Sequence, residues 1–427
     1  MSDQKQHDTR GGKIAQDVRA FYDRHPYPPP ASSLDKYRQG WQDRDRQRAD
    51  YHLFWPAEPY REDRTVLVAG CGTSQAAKHA LRQPAARVIG IDISSTSIRH
   101  TRQLKRKYRL ENLELAQLPI ERVQELGGSF DKIVCTGVLH HLPDPNAGLQ
   151  ALRSVLKPGG AMYLMVYAPY GRTGVYMLQE YCRRIGVRPS EREIRDLAVA
   201  LQVLPPGHPL EHLLREALDF RDGAALADAL LHPQDRAYSV PQLFDFVRRA
   251  GLVFGRWLRQ APYLPGCGVI AKTPHASRLA QLSAEEQYAA LELFRGTMVR
   301  HSFVVYRNDR PAESRPIRFD DGCWQNYVPI RSPTTISVQE RLPPGAAAVL
   351  INQSHTYTDL YLPIDEKEKQ LFDAIDGNRT IADIVRSTRA HEQDEERART
   401  FFERLWWYDQ VVFDASNLPG EDRDLPG

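Results

Sequence analysis

The sequence predicts a doubly wound α/β domain followed by a smaller α+β region, and three observations carry that prediction. Residues 65–93 read TVLVAGCGTSQAAKHALRQPAARVIGIDI: an apolar run stops at Gly70, Cys71 and Gly72, a helical pattern follows, and a second apolar run ends at Asp92. Strand, glycine turn, helix, strand is the opening unit of an open parallel sheet. Residues 130–135 (FDKIVC) and 161–167 (AMYLMVY) supply two more short strands, with a helical stretch over 146–156 between them. Past residue 275 the alternation stops and an irregular, β-rich text takes over.

The glycine turn is the first candidate site. Gly70 and Gly72 let the backbone bend sharply and bring a ligand close to its N–H groups. The following helix N-terminus favours negative charge. Asp92, at the tip of the second strand, is placed to take two ribose hydroxyls. A dinucleotide fingerprint requires a third glycine three residues after the second. Gln75 stands there, which argues against a pyrophosphate site. The turn instead resembles the glycine loop of class I S-adenosylmethionine-dependent methyltransferases, which commonly reads hhxxGxGxG. Gly70, Gly72 and Asp92 match; Ala69 replaces an acidic residue and Ser74 replaces the last glycine. On the loop alone, this family and other nucleotide-binding α/β domains both stay open.

The downstream order separates them. FDKIVC runs into TGVLHHLPDP, then a helix, then LKPGG, then AMYLMVY. Across residues 66–167 this order resembles the class I core from its first strand to its fifth. The resemblance implies a Rossmann-like seven-stranded sheet, an enzyme, and S-adenosyl-L-methionine as cofactor. It places Ala69, Gly70, Cys71 and Gly72 in the cofactor loop and Asp92 on the ribose. Ile93 lies on the adenine face. The side-chain carbonyl of Gln117 replaces the acid that often follows the third strand. Gly137 and Leu139 approach the methionine portion through their backbone. Catalytic candidates are His140, Tyr167 and Tyr170, with Arg172 able to hold an acidic acceptor. Adjacent histidines in a loop point apart, so at most one of His140 and His141 is expected to face the site. No metal is expected, because no third ligand sits at a usable spacing.

Length and composition set the frame. A chain of 427 residues suggests two or three domains. A net charge of +3 gives no global field for nucleic acid or membrane. Five cysteines without metal or disulfide spacing fit reduced thiols in the cytoplasm. The N-terminus lacks the apolar stretch of a signal peptide. No apolar run approaches the ~20 residues of a membrane span. Arg99, Arg102, Lys105, Arg106, Lys107 and Arg109 make one helix basic, as a solvated outer face would be, and only Tyr108 interleaves as an aromatic.

The expected domain map is a cap or lid over 1–60, a methyltransferase core over 61–275 with a helical insertion at 173–235, and an α+β region over 276–427. Residues 1–12 are expected to be disordered, with a helix from Ile14. The insertion is expected as helices over 174–185, 190–201 and 208–218, forming a substrate wall or a homodimer surface. The last two core strands are expected at 252–258 and 268–272. Residues 360–415, with LFDAIDGNRTIADI as the telling stretch, resemble a winged-helix module similar to PqqD, which implies a peptide clamp or a packing domain. The expected function is methyl transfer to a small-molecule or peptide/protein acceptor. An RNA methyltransferase and a non-catalytic cofactor-binding protein are the alternatives.

Overall fold

The computed structural model describes residues 2–216, 223–310, 316–388 and 395–417. The chain separates into two compact units: residues 1–40, 62–254 and 292–308 form one, and 41–61, 255–291 and 309–427 the other.

The first unit is built on a seven-stranded sheet. Its strands are β1 Thr65–Ala69, β2 Arg87–Asp92, β3 Leu113–Gln117, β4 Phe130–Thr136, β5 Leu156–Tyr167, β6 Leu252–Trp257 and β7 Arg300–Arg307. Their order is β3-β2-β1-β4-β5-β7-β6. β1 to β5 pair in parallel and β7 runs antiparallel to β5. The boundary between the units falls inside β6, after Phe254. Val66, Leu67, Val68, Ile133, Val134 and Cys135 are all buried, as strands covered on both faces must be. The strand order reverses between β1 and β4, so the crevice lies above their carboxyl ends.

One strand is not where the local pattern put it. Residues 269–272 form a short 3₁₀ turn rather than a strand. The antiparallel partner of β5 is β7, with Ala161 opposite Tyr306 and Tyr167 opposite Arg300. The apolar run at Phe303, Val304 and Val305 earns its place through burial against β5, a long-range pairing. Buried Glu292 fixes the approach: it accepts from the Val240 amide at 2.8 Å and pairs with His301 Nε2 at 3.0 Å.

Local signals set the helix ends. Ser94 caps the helix Ser95–Tyr108, its hydroxyl accepting from the Ser97 amide. Arg99, Arg102, Arg106 and Lys107 on that helix are exposed. Ser239 and Gln242 close a capping box on the helix Val240–Arg249, and Gly251 follows it at φ +69°.

The N-terminal helix runs from Ser2 to Arg24, so helix replaces the expected disorder over 2–12. The insertion forms helices Thr173–Ile185, Glu191–Leu201, Leu210–Glu216 and Gly223–Leu231. The last of these was not anticipated, and residues 217–218 of the expected third helix lie outside the described residues. Phe21 packs among Val175, Leu178, Ile194, Leu226 and Leu230, which makes the N-terminal helix part of the insertion's core. Full burial of one such side chain stabilises by about 1.5–3 kcal/mol.

The second unit holds two small antiparallel sheets. The strands β8 Val328–Arg331, β9 Thr335–Val338, β10 Ala348–Asn352, β11 Tyr361–Ile364 and β12 Val411–Asp414 form the orders β11-β10-β9 and β12-β8. The strand-like stretch over 350–362 therefore holds parts of two strands, β10 and β11. The helix Glu366–Asp373 is capped by Asp365 and the helix Ile381–Ser387 by Thr380. Between them Gly377 turns at φ +76°. The helix Glu395–Trp407 and β12 complete the run. Residues 41–61, expected in the cap, cluster with this unit. There the helix Arg44–His52 packs Ala49 and Leu53 on Ile330 and Val412.

Asp409 ties the second unit together. Its buried carboxylate accepts from the Gln260 and Ala261 amides at 2.9 and 3.2 Å and from Arg256 at 3.2 Å. It sits at φ +56°, a conformation Asp and Asn tolerate better than Ala. Asp409→Asn is expected to lower stability by about 1.5–3 kcal/mol, and Asp409→Ala by about 3–5 kcal/mol. Denaturant unfolding followed by circular dichroism measures both. An unchanged midpoint in the alanine variant contradicts this account of the unit.

Candidate active site

The crevice begins where β1 ends. Gly70 and Gly72 both take positive φ, +68° and +54°. A Cβ at Gly70 would stand 2.3 Å from Val138 Cγ2, and one at Gly72 would stand 3.1 Å from Pro28 Cδ. The turn therefore needs glycine for its conformation and for its neighbours. Ala69, Cys71 and Leu139 are fully buried. Burial, with Asp92 nearby, pushes the Cys71 thiol well up, which keeps it unreactive.

Asp92 spans the floor of the crevice. One carboxylate oxygen accepts from the Gly72 amide at 2.8 Å and the other from the Ser94 amide at 2.8 Å. Each oxygen keeps a further lone pair for a ribose hydroxyl. Loss of water raises the carboxyl to about 6, against the lowering effect of the Ser94 and Gly72 amides. A folded-state value above the ordinary 3.8 means the ionised carboxylate costs the free protein stability as pH rises through that interval. Hydroxyl donors from a ligand offset the cost.

The adenine side follows from sheet register. Gln117 lies opposite Asp92 across β3 and β2. Its amide nitrogen donates to the Ile93 carbonyl at 3.0 Å, which leaves its side-chain carbonyl for an adenine amino group. Gly137 turns at φ +76° and donates its amide to the Met165 carbonyl at 3.2 Å. Any ligand contact from Gly137 thus uses its carbonyl or Cα.

The N-terminal segment covers this end of the crevice. Asp23 accepts from the Ser94 hydroxyl at 2.8 Å and from the Ser95 hydroxyl and Thr96 amide at 3.2 Å. Burial raises the Asp23 carboxyl, but these hydrogen bonds outweigh it and hold the group below its ordinary value. The Thr73 hydroxyl donates to the Pro28 carbonyl at 2.7 Å.

At the ends of β4 and β5 lies an enclosed polar cluster. His140 and His141 share a short 3₁₀ turn and do not point apart: both are buried, with ring centroids 4.2 Å apart. His140 also lies 4.0 Å from the Tyr167 ring. Burial, then His141, Arg172 and His232, push its imidazole well below the usual range. Neither His140 nitrogen has a hydrogen-bond partner among the described residues. Burial and Asp228 push the Tyr167 hydroxyl well up, so it stays protonated. Arg172 lies 3.6 Å over the Tyr167 ring and pairs with Asp235 at 3.2 Å, so it is not free for an acidic acceptor. Tyr170 stands apart from these enclosed groups and is 41% exposed.

Three members of this cluster, Asp228, His232 and Asp235, were not singled out from the sequence as functional. Asp228 and His232 did carry a signal. They stand four residues apart, and Asp228 is the one charged residue in the helix GAALADALL. The sequence expectation that no third metal ligand accompanies the histidines is corrected by their arrival.

Comparisons with known proteins agree with this geometry. A family profile described as a methyltransferase domain matches residues 67–162. An uncharacterized protein of Synechococcus is 29% identical over 325 residues, covering 71% of this chain and 77% of that one. A ubiquinone biosynthesis O-methyltransferase of Acinetobacter baumannii is 27% identical over 158 residues, 34% of this chain and 66% of its own length. The fold matches PKMT2 from Rickettsia typhi, solved also in complex with AdoHcy, with a TM-score of 0.62, 18% identity, and coverage of 91% and 77% of the two chains.

The ribose contact is testable by calorimetry with S-adenosylhomocysteine. Asp92→Ala is expected to weaken binding by about 10–100-fold, the loss of hydrogen bonds to a charged acceptor. Wild-type affinity is expected to fall as pH drops through about 6, where the carboxylate gains a proton. Affinity that is unchanged by the substitution and flat with pH contradicts the assignment. The glycine turn, the Asp92 floor, the seven-stranded sheet and the matched profile converge: residues 67–162 are a methyltransferase domain, and the chain is an S-adenosylmethionine-dependent methyltransferase.

Proposed function

We propose that the chain transfers methyl to a small-molecule or peptide/protein acceptor entering the crevice at the carboxyl ends of β4 and β5. The observation that supports this most is His140, an enclosed imidazole with both nitrogens unpartnered among the described residues, against the Tyr167 ring. Bound S-adenosylmethionine would supply a methyl group on a sulfonium, open to in-line attack by an acceptor nucleophile with the carbon–sulfur bond breaking and neutral S-adenosylhomocysteine leaving. The protein's part is binding, alignment and exclusion of water. Gly70 and Gly72 admit the cofactor to the backbone, Asp92 anchors its ribose, and Gln117 takes its adenine. His140 accepts a hydrogen bond from the acceptor and Tyr167 orients it, with Tyr170 at the exposed rim. Alignment of this kind can supply about 7–11 kcal/mol, so no dedicated base is required.

The O-methyltransferase relatives support a hydroxyl on a small molecule. A peptide acceptor rests on the resemblance of residues 360–415 to a PqqD-like module. An RNA acceptor is less well supported: the basic helix faces solvent, and its Tyr108 hydroxyl already accepts from the Leu34 amide. Cys71, Cys135 and Cys182 are buried thiols outside any disulfide, which fits a cytoplasmic location.

The test is incubation with methyl-labelled S-adenosylmethionine and fractionated host extract. Label is expected in the small-molecule or protein fraction. Label in RNA, or none at all, contradicts the reading. His140→Asn is expected to slow labelling by about 100-fold while S-adenosylhomocysteine binds as before. Wild-type labelling rates in that variant rule out the role given to His140.

A further inference from the structure

Beside the methyl-transfer groups, His141, Asp228 and His232 meet in a cluster to which that reading gives no role. Asp228 lies in the helix Gly223–Leu231, and His232 follows directly after its end. Around Asp228 that helix buries Ala225, Leu226, Ala227 and Leu230. A carboxylate in so apolar a setting calls for a partner of opposite charge. Asp228 has the Tyr22 hydroxyl, which donates to it at 3.0 Å, and the imidazoles. The nearby guanidinium of Arg172 is already committed to Asp235 at 3.2 Å.

The imidazoles are oriented for ligation. One ligand atom from each of His141, Asp228 and His232 lies within 4.8 Å of the other two. His141 Nδ1 stands 2.7 Å from the Gln234 carbonyl, so it carries the proton and donates. That leaves the lone pair on Nε2, which has no hydrogen-bond partner among the described residues. A ligating histidine commonly has its other nitrogen held in this way. His232 Nε2 is likewise buried and unpartnered. Its Nδ1 accepts from the Gln234 amide at 3.1 Å, a bond that ligation through Nε2 must give up. His232 is therefore the weakest of the three ligands, and a bound ion exchanges readily.

We propose that His141, Asp228 and His232 form a site for a divalent transition-metal ion of the zinc class. Two imidazoles and one carboxylate suit zinc or cobalt better than magnesium or calcium, which prefer all-oxygen shells. Three protein ligands leave a coordination position open. The site joins the loop after β4 to the insertion, and through Tyr22 it engages the N-terminal helix. It stands independently of which acceptor is methylated.

The test uses the purified full chain, stripped with a chelator and titrated with cobalt(II). One equivalent is expected to give the visible absorption of imidazole-ligated cobalt, and zinc is expected to bleach it. Tyr22→Phe, which removes a partner of the Asp228 ligand, is expected to weaken binding by roughly 10-fold. Asp228→Asn and His232→Gln are expected to weaken it more, with circular dichroism and S-adenosylhomocysteine affinity retained. If one of these two variants fails to fold, the other still decides. No cobalt spectrum with the wild-type chain, or equal cobalt affinity in the folded variants, would falsify the site. Cofactor affinity measured in parallel separates that outcome from a failure of the methyltransferase reading.

Discussion

The Asp92 carboxylate is the constraint from which the rest of the crevice follows. It holds the Gly72 amide with one oxygen and the Ser94 amide with the other. That joins the end of β1, the end of β2 and the start of the next helix. The glycines are needed because the chain bends into this carboxylate with Val138 and Pro28 packed against the turn. The arrangement holds a carboxyl up at about 6, and that stored cost makes the site receptive to paired hydroxyl donors.

Around this floor the N-terminal helix has two attachments. Asp23 meets Ser94, Ser95 and Thr96 beside the cofactor end, and Tyr22 meets Asp228 beside the acceptor end. Phe21, immediately before Tyr22, is buried in the insertion's core. Adjacent residues on one helix thus reach the start of the helix after β2, the Asp228 helix and the hydrophobic core.

What could be read from the sequence was local. The glycine turn at Gly70 and Gly72 and the place of Asp92 at the tip of β2 rest on residues a few positions apart, and the structure has both. The seventh strand was not legible in this way, because β7 pairs with β5 across more than a hundred residues of intervening chain. Local pattern offered 268–272 as readily, and only burial against β5 decides. The same limit hid the polar cluster. His140 and His141 were visible in the loop, but their neighbours come from helices before and after it, and the sequence gives no register for that meeting. Arg172 shows the converse: its motif position suggested a free guanidinium, and Asp235 occupies it.

The most direct test of the central claim is a pair of calorimetric titrations of the full chain, one with S-adenosylhomocysteine and one with NADH. A crevice bent at Gly70 and Gly72 and floored by Asp92, with Gln75 where a third glycine would stand, predicts saturable one-to-one binding of the first and none of the second. Binding of NADH with no heat from S-adenosylhomocysteine would contradict it.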